Sequence, residues 1–273
     1  MNNILYAPFL REMCELADNL YRLGWDERNG GNVSLIVPEE EIKPYLDPSH
    51  VIRTIPAGFD AKQLAGRYFL VTGTGKYLKN VSRNPGANLG LVRVQPDGET
   101  LDILWGFEGG GRPTSELASH FMSHIERLER DPAHRVIMHV HCTNLIAMTF
   151  VHSLDEREFT RTLWQMCTEC VVVFPEGIGV LPWMLCGGVE IGLATAEKMK
   201  DFRMVMWAHH GVFGAGCTID EAFGLIETAE KAAEIYIKIM DRPILQTITD
   251  EQLHILADAF GAKVKDDYLK TQD

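Results

Sequence analysis

Long apolar runs are missing from this chain: no window of its 273 residues approaches the roughly 18 to 20 continuous apolar positions that a membrane helix needs. A membrane protein is therefore not expected. Positive charge is also scarce, with 26 basic against 38 acidic side chains and a formal charge of −12. That balance opposes nonspecific attraction to nucleic acid or anionic lipid, so any anion must be held by a local site. No disulfide framework of the small-domain kind is present. Six cysteines are scattered at 14, 142, 167, 170, 186 and 217, which suits reduced thiols. Cys167 and Cys170 form a C-x-x-C without a second such pair, and they close an apolar helix pattern, so buried packing is expected rather than zinc or redox chemistry. The opening MNNILYAPFLREMCELADNL lacks a basic segment followed by an apolar core, and Glu15 and Asp18 interrupt it. No secretory signal is expected, and the compartment expected is the cytoplasm. Internal repeats and long Pro/Gly/Ser linkers are absent too, which predicts a single domain over 1–273.

What is present is an ordinary globular composition, 46% hydrophobic and 23% charged. Phe9, Leu10, Met13, Leu16, Ala17, Leu20 and Leu23 recur at helical spacing and stop at Gly24. NVSLIV (32–37) reads as a strand. Residues 38–66 hold four prolines and read as a long surface excursion before the strand RYFLVTG. LGLVRV and TLDILWG flank a PDG turn and predict a hairpin. Leu117, Phe121, Ile125 and Leu128 share a helix face, with Thr114 or Ser115 as its N-cap. Then follow the strand RVIMHVH, helices near 143–152 and 156–167, the strands ECVVVFP and GIGVLPWM, a helix over 188–200 and the strand RMVMWAH. Thr218 with Glu221, and Thr249 with Gln252, predict capping boxes for the last two helices. The alternation predicts an α/β fold with a mixed sheet.

The chemistry is carried by histidines and short turns. His139 and His141 stand two apart at a strand end and so face one side. A bare H-x-H is more often a hydrogen-bonded pair than a metal site, so a third group is needed. His120 and His124 lie four apart on a helix, but the segment between them lacks the Glu of H-E-x-x-H, and they read as an exposed helix face. WAHHGVFGAG (207–216) ends a strand in His209 and His210 before a glycine-rich turn. Either histidine can complete a three-imidazole site with an open coordination position, as in catalytic zinc, and spacing alone does not choose between them. Glu116 sits in the first turn of a helix after Thr114 and Ser115. There it serves either the helix dipole or acid/base chemistry, beside free backbone N–H groups that suit a phosphate. NGGNVS (29–34) and TGTGK (72–76) are further candidate anion turns, and neither has Walker A spacing.

Taken in order, WDERNGGNVS, VTGTGK, RPTSELASHF, RVIMHVHCTNLIA, TECVVVFPEG and HHGVFGAG resemble the class II aldolase and adducin-head family over nearly the whole chain. The resemblance implies a three-layer α/β/α domain around a central mixed, largely antiparallel sheet. It implies one zinc ion per subunit on His139, His141 and His210, and acid/base work by Glu116. Asn29, Asn32, Thr74, Gly75, Thr114 and Ser115 would hold the substrate phosphate and nearby hydroxyls. Glu169 resembles a glutamate supplied to a neighbouring subunit's site, which implies a homotetramer with active sites near its interfaces. The reaction implied is retro-aldol cleavage of a small sugar phosphate. Within the family, Glu rather than Asp at 116 favours an aldolase over a ribulose-phosphate 4-epimerase. The presence of all three histidines disfavours a non-catalytic interaction module.

Overall fold

A computed structural model describes residues 2–269 of the chain; residue 1 and residues 270–273 of the expected 1–273 domain lie outside the described residues. In chain order the helices are α1 (Pro8–Leu23), α2 (Glu39–Ile42), α3 (Pro85–Asn88), α4 (Leu117–Arg130), α5 (Thr143–Val151), α6 (Glu156–Met166), α7 (Cys170–Val173), α8 (Val189–Met199), α9 (Ile219–Ile239) and α10 (Asp250–Phe260). The strands are β1 (Asn32–Ile36), β2 (Arg53–Pro56), β3 (Tyr68–Thr72), β4 (Leu89–Val94), β5 (Thr100–Gly106), β6 (Val136–Val140), β7 (Gly179–Leu181), β8 (Met204–Trp207) and β9 (Gly211–Gly216). Among the described residues, these strands form one sheet in the order β2-β5-β4-β3-β1-β6-β9-β8-β7. Every neighbouring pair is antiparallel except β7 with β8. The fold is the expected α/β class with a mixed, largely antiparallel sheet.

Strand alternation sends side chains to two helical layers. Val33, Leu35, Val136, Met138, Val140 and Val212 join the core beneath α1, α5, α6 and α9. On the other face Phe69, Val71, Leu117 and Phe121 pack together under α4, and Ile137, Trp207, Phe213 and Ile191 under α8. β1 and β6 lie side by side with Asn32 opposite His139. Their polar residues Asn32, Ser34 and His139 thus alternate onto the face that α4 covers.

α1 ends as its periodicity predicts: Gly24 adopts φ 71° and its N–H caps Leu20 and Tyr21 carbonyls. Thr249 and Gln252 form the reciprocal capping box. At α9 only half of it forms, since Thr218 accepts from Glu221 N while the Glu221 carboxylate accepts from Cys217 N at 2.7 Å.

Four expectations are corrected. Residues 38–66 are more than a surface excursion, because Arg53–Pro56 adds an edge strand to β5 and Ile42, Ala61 and Leu64 are buried. Proline is tolerated there because an edge strand leaves one row of backbone donors unpaired. ECVVVFP is not a strand. Cys170–Val173 is one helical turn packed against α9 and α10, where burial of Cys170 and Val171 overrides the β preference of the valines. GVFGAG is not a turn but strand β9; its glycines permit close approach of α9, since a Cβ on Gly214 would lie 2.7 Å from Ile226 and one on Gly216 2.7 Å from the Ala222 nitrogen. His120 and His124 do not lie on an exposed face, being fully buried between α4 and the sheet.

Candidate metal centre

β6 delivers His139 as a fully buried side chain, and His141 follows just past the strand with its N–H on the Trp25 carbonyl at 2.9 Å. The β8–β9 connection delivers the third imidazole. His209 takes a left-handed φ of 63°, turns its ring onto Phe150 at 4.1 Å between centroids, and is held by Thr149. The chain reversal leaves His210 facing the other two. Ligand atoms of His139, His141 and His210 lie within 4.8 Å of one another. The geometry thus separates the two neighbours that spacing alone left equivalent.

The outer nitrogens are already engaged. His139 Nδ1 meets the Val212 carbonyl at 3.2 Å, and His141 Nδ1 meets both Glu27 oxygens at 2.8 and 2.9 Å. Such partners orient an imidazole and make it a better ligand. His139 Nε2 is buried with no hydrogen-bond partner among the described residues. A buried polar atom without a partner is costly, and a cation between the three rings would satisfy it. Burial, followed by the charges of neighbouring histidines, holds His139 well below its ordinary pKa. Burial and then His141 lower His210 to about 4. Both rings are neutral near pH 7, as metal ligands must be. Three nitrogen donors with an open fourth position fit a catalytic divalent ion.

Glu116 closes the fourth side. Its Oε2 lies 3.6 Å from His139 Nε2 and its Oε1 3.8 Å from His210 Nε2, while Asn32 Nδ2 donates to Oε2 at 2.8 Å. Burial pushes its carboxyl above the ordinary value, against the Asn32 bond and the nearby His141. A carboxyl raised in this way holds a proton more readily than an exposed one, as a general acid must.

A cavity of about 290 Å³ opens beside Glu116, His141 and His210. Asn29, Asn32, Thr74, Gly75, Thr114 and Ser115 all line it. The turns that carry them are tied together by Thr74 N to Arg112 O and Thr114 N to Thr72 O, both 2.9 Å. Neither Thr114 nor Ser115 is the helix N-cap; that position is Glu116, and Thr114 Oγ1 accepts from Glu116 N instead. Glu169 lies outside the cavity, exposed at the start of α7, where its carboxylate accepts from Cys167 Sγ.

Glu27, Arg28, Gly30 and Cys186 also reach the site and were not singled out from sequence. Only the DERNGG run pointed at the first three. A Cβ on Gly30 would lie 2.8 Å from the His141 ring, so glycine is needed for the loop to lie against that ligand. Cys167 and Cys170 are free thiols, and burial drives Cys170 far from reactivity, as the packing reading expects. A second cluster, Asp131, His134 and Cys217, is spoken for: His134 Nδ1 accepts from Arg127 Nε at 3.0 Å, beside a cation that disfavours metal.

Comparison with known proteins identifies the family. Residues 11–237 match the family described as Class II Aldolase and Adducin N-terminal domain. A rhamnulose-1-phosphate aldolase from Listeria monocytogenes is 59% identical over 268 residues, covering 98% of each chain. One from Yersinia pseudotuberculosis is 49% identical over 267 residues, covering 95% of this chain and 96% of that one. The crystal structure of a sugar-phosphate aldolase from Thermotoga maritima superposes with a TM-score of 0.74 at 31% identity, over 86% of this chain and 97% of the other. The chain belongs to the class II aldolase and adducin family, whose aldolases depend on a metal ion.

Proposed function

We propose that this class II aldolase, a lyase, reversibly cleaves L-rhamnulose 1-phosphate to dihydroxyacetone phosphate and L-lactaldehyde with zinc as its metal, a step in L-rhamnose breakdown. The carrying observation is the convergence of His139, His141 and His210 on Glu116 at the edge of a cavity rimmed by hydroxyl- and amide-bearing turns. The full-length likeness to chains named rhamnulose-1-phosphate aldolase supports the choice of substrate.

The three imidazoles would hold the ion, which when bound supplies Lewis-acid chemistry toward the C2 carbonyl and C3 hydroxyl oxygens of the ketose. The remaining roles fall to this chain's residues. Asn29, Thr74, Gly75 and Ser115 present amides and hydroxyls to the phosphate, while Asn32 and Thr114 sit nearer Glu116 and hold hydroxyls. In cleavage a base takes the C4 hydroxyl proton, the C4 carbonyl forms as C3–C4 breaks, and the bonding pair passes toward C3 and the C2 oxygen. C3 then gains a proton. Glu116 makes that transfer, its carboxyl pushed up by burial so that it holds a proton more readily than an exposed one. Glu169, outside its own subunit's cavity, is assigned to the C4 side of a neighbour's site in a homotetramer. The enzyme acts in the cytoplasm; among the described residues no helix is long and apolar enough to cross a membrane.

The test is a substrate panel. L-rhamnulose, L-fuculose and L-ribulose phosphates are supplied to the purified protein and aldehyde release is followed. Preference for the rhamnulose ester is expected. Preference for the fuculose ester would overturn the substrate and leave the class standing.

A further inference from the structure

Five buried polar side chains from β1 and α4 form a single interlocked ladder. Asn32 and Ser34 are two apart on one face of β1, and Glu116, His120 and His124 are four apart on one face of α4 and its cap. The rungs alternate between the two elements. Asn32 Nδ2 donates to Glu116 Oε2 at 2.8 Å, Asn32 Oδ1 meets His120 Nε2, His120 Nδ1 meets Ser34 Oγ at 2.8 Å, and Ser34 Oγ meets His124 Nε2 at 2.8 Å. Ser34, His120 and His124 have no exposed surface, and Asn32 has 8%.

We infer that this ladder is a positioning device for the acid/base group: Ser34, His120 and His124, acting through Asn32, fix the amide orientation and the rotamer that hold Glu116 beside the three imidazoles. The inference rests on Glu116 as the acid/base residue. Its logic is the direction of the donors. A carboxylate only accepts, so Asn32 must turn its NH2 to Glu116 and its carbonyl to His120. An amide carbonyl only accepts, so His120 must carry its proton on Nε2 and leave Nδ1 bare. Ser34 therefore donates to His120 Nδ1 and accepts from His124, whose proton is also on Nε2. His124 Nδ1 is then an acceptor with no proton to place, which accounts for its lack of a partner among the described residues. Every rung donates toward Glu116, and bonds aligned in one sense reinforce one another. Burial keeps both rings neutral, His120 down to about 3, so neither donates from two nitrogens and breaks the sense.

None of these three side chains lines the cavity, so none touches substrate. What they decide is how firmly the Asn32 amide is held in the orientation that Glu116 demands. If His120 no longer donates, the Asn32 carbonyl loses its partner, and the amide and the Glu116 carboxylate it holds are less fixed.

The test joins a spectrum with kinetics on the full chain. Histidine-selective 15N spectra of the metal-free protein should show His120 and His124 neutral with the proton on Nε2; a proton on Nδ1 of His120 overturns the ladder. In zinc-loaded protein His120→Phe should lower kcat about ten- to a hundredfold with KM for L-rhamnulose 1-phosphate within about twofold, since positioning acts on the transition state. His120→Gln, which can donate to Asn32 and accept from Ser34, should recover most of that loss. Wild-type kcat in a folded His120→Phe protein overturns the inference. Should that variant not fold, Ser34→Ala carries the same reading: a second His120 tautomer and a lower kcat are expected, and no change in either overturns it. If Glu116→Gln keeps full turnover, the acid/base reading fails, and the tautomer spectrum alone decides whether the ladder exists.

Discussion

Glu116 Oε2 stands 3.6 Å from His139 Nε2, a buried nitrogen with no hydrogen-bond partner among the described residues. The imidazole is neutral because burial lowers its pKa, so the contact is not an ion pair that holds the fold together. It leaves a carboxylate oxygen beside an imidazole nitrogen that has no other partner, as the proposed metal site needs. Glu116→Gln keeps the shape and removes the exchangeable proton. The expected outcome is a loss of about a hundred- to ten-thousandfold in kcat with the zinc content unchanged, read by steady-state kinetics and metal analysis.

Glu27 fixes the orientation of the His141 ring. Its two oxygens grip His141 Nδ1 at 2.8 and 2.9 Å, which turns Nε2 toward the other ligands. Glu27→Ala should weaken zinc binding about ten- to a hundredfold, measured by competition with a chromophoric chelator. Unchanged affinity would show that the ring is oriented without it.

Gly30 is a steric requirement of the site rather than of the fold. Its φ is not in the left-handed region, but an added Cβ would lie 2.8 Å from His141 Cε1 and Nδ1. Gly30→Ala should therefore leave the thermal stability of the metal-free protein close to wild type and lower the bound zinc. A large drop in Tm with full zinc occupancy would contradict this account.

How much of this was legible in the sequence depends on which contacts it encodes locally. The H-x-H pair was readable because strand alternation puts residues two apart on one face, and the turns at 29–34, 72–76 and 113–116 announced themselves by composition. His210 was separable from His209 only through φ 63° at His209, a backbone fact that spacing does not carry. His120 and His124 misled because an i,i+4 pair of polar residues looks like a solvated face. Their burial depends on Asn32 and Ser34, more than 80 residues away. Cys170–Val173 misled in the same way, with Cys170 and Val171 buried by helix packing rather than by a sheet. Glu27 had no signal beyond proximity to NGG.

Five imidazoles, those of His120, His124, His134, His139 and His210, are held below their ordinary pKa, chiefly by burial. In the metal-free protein the unfolded chain takes up protons on these groups as pH falls through about 6.5 while the folded chain does not, so stability falls. Each contributes on the order of 1 kcal/mol per pH unit in that window. Asp26, raised to about 6 chiefly by burial, and Glu116 and Glu230, also raised chiefly by burial, work in the opposite sense at lower pH and offset part of the loss. The Tm of metal-free protein should thus decline from about pH 7 to about pH 5.5. A Tm that rises over that range would contradict neutral burial of the five rings.

Zinc removal and return on one sample decides whether the three imidazoles hold the catalytic ion. Aldehyde release from L-rhamnulose 1-phosphate is followed as the protein is stripped with a chelator and then titrated with zinc. Activity is expected to disappear on stripping and to return linearly to a break at one ion per chain, and His139→Ala, His141→Ala and His210→Ala are each expected to abolish both the break and the activity. Full turnover by the stripped protein, or a stoichiometric break that survives loss of His210, would contradict that assignment.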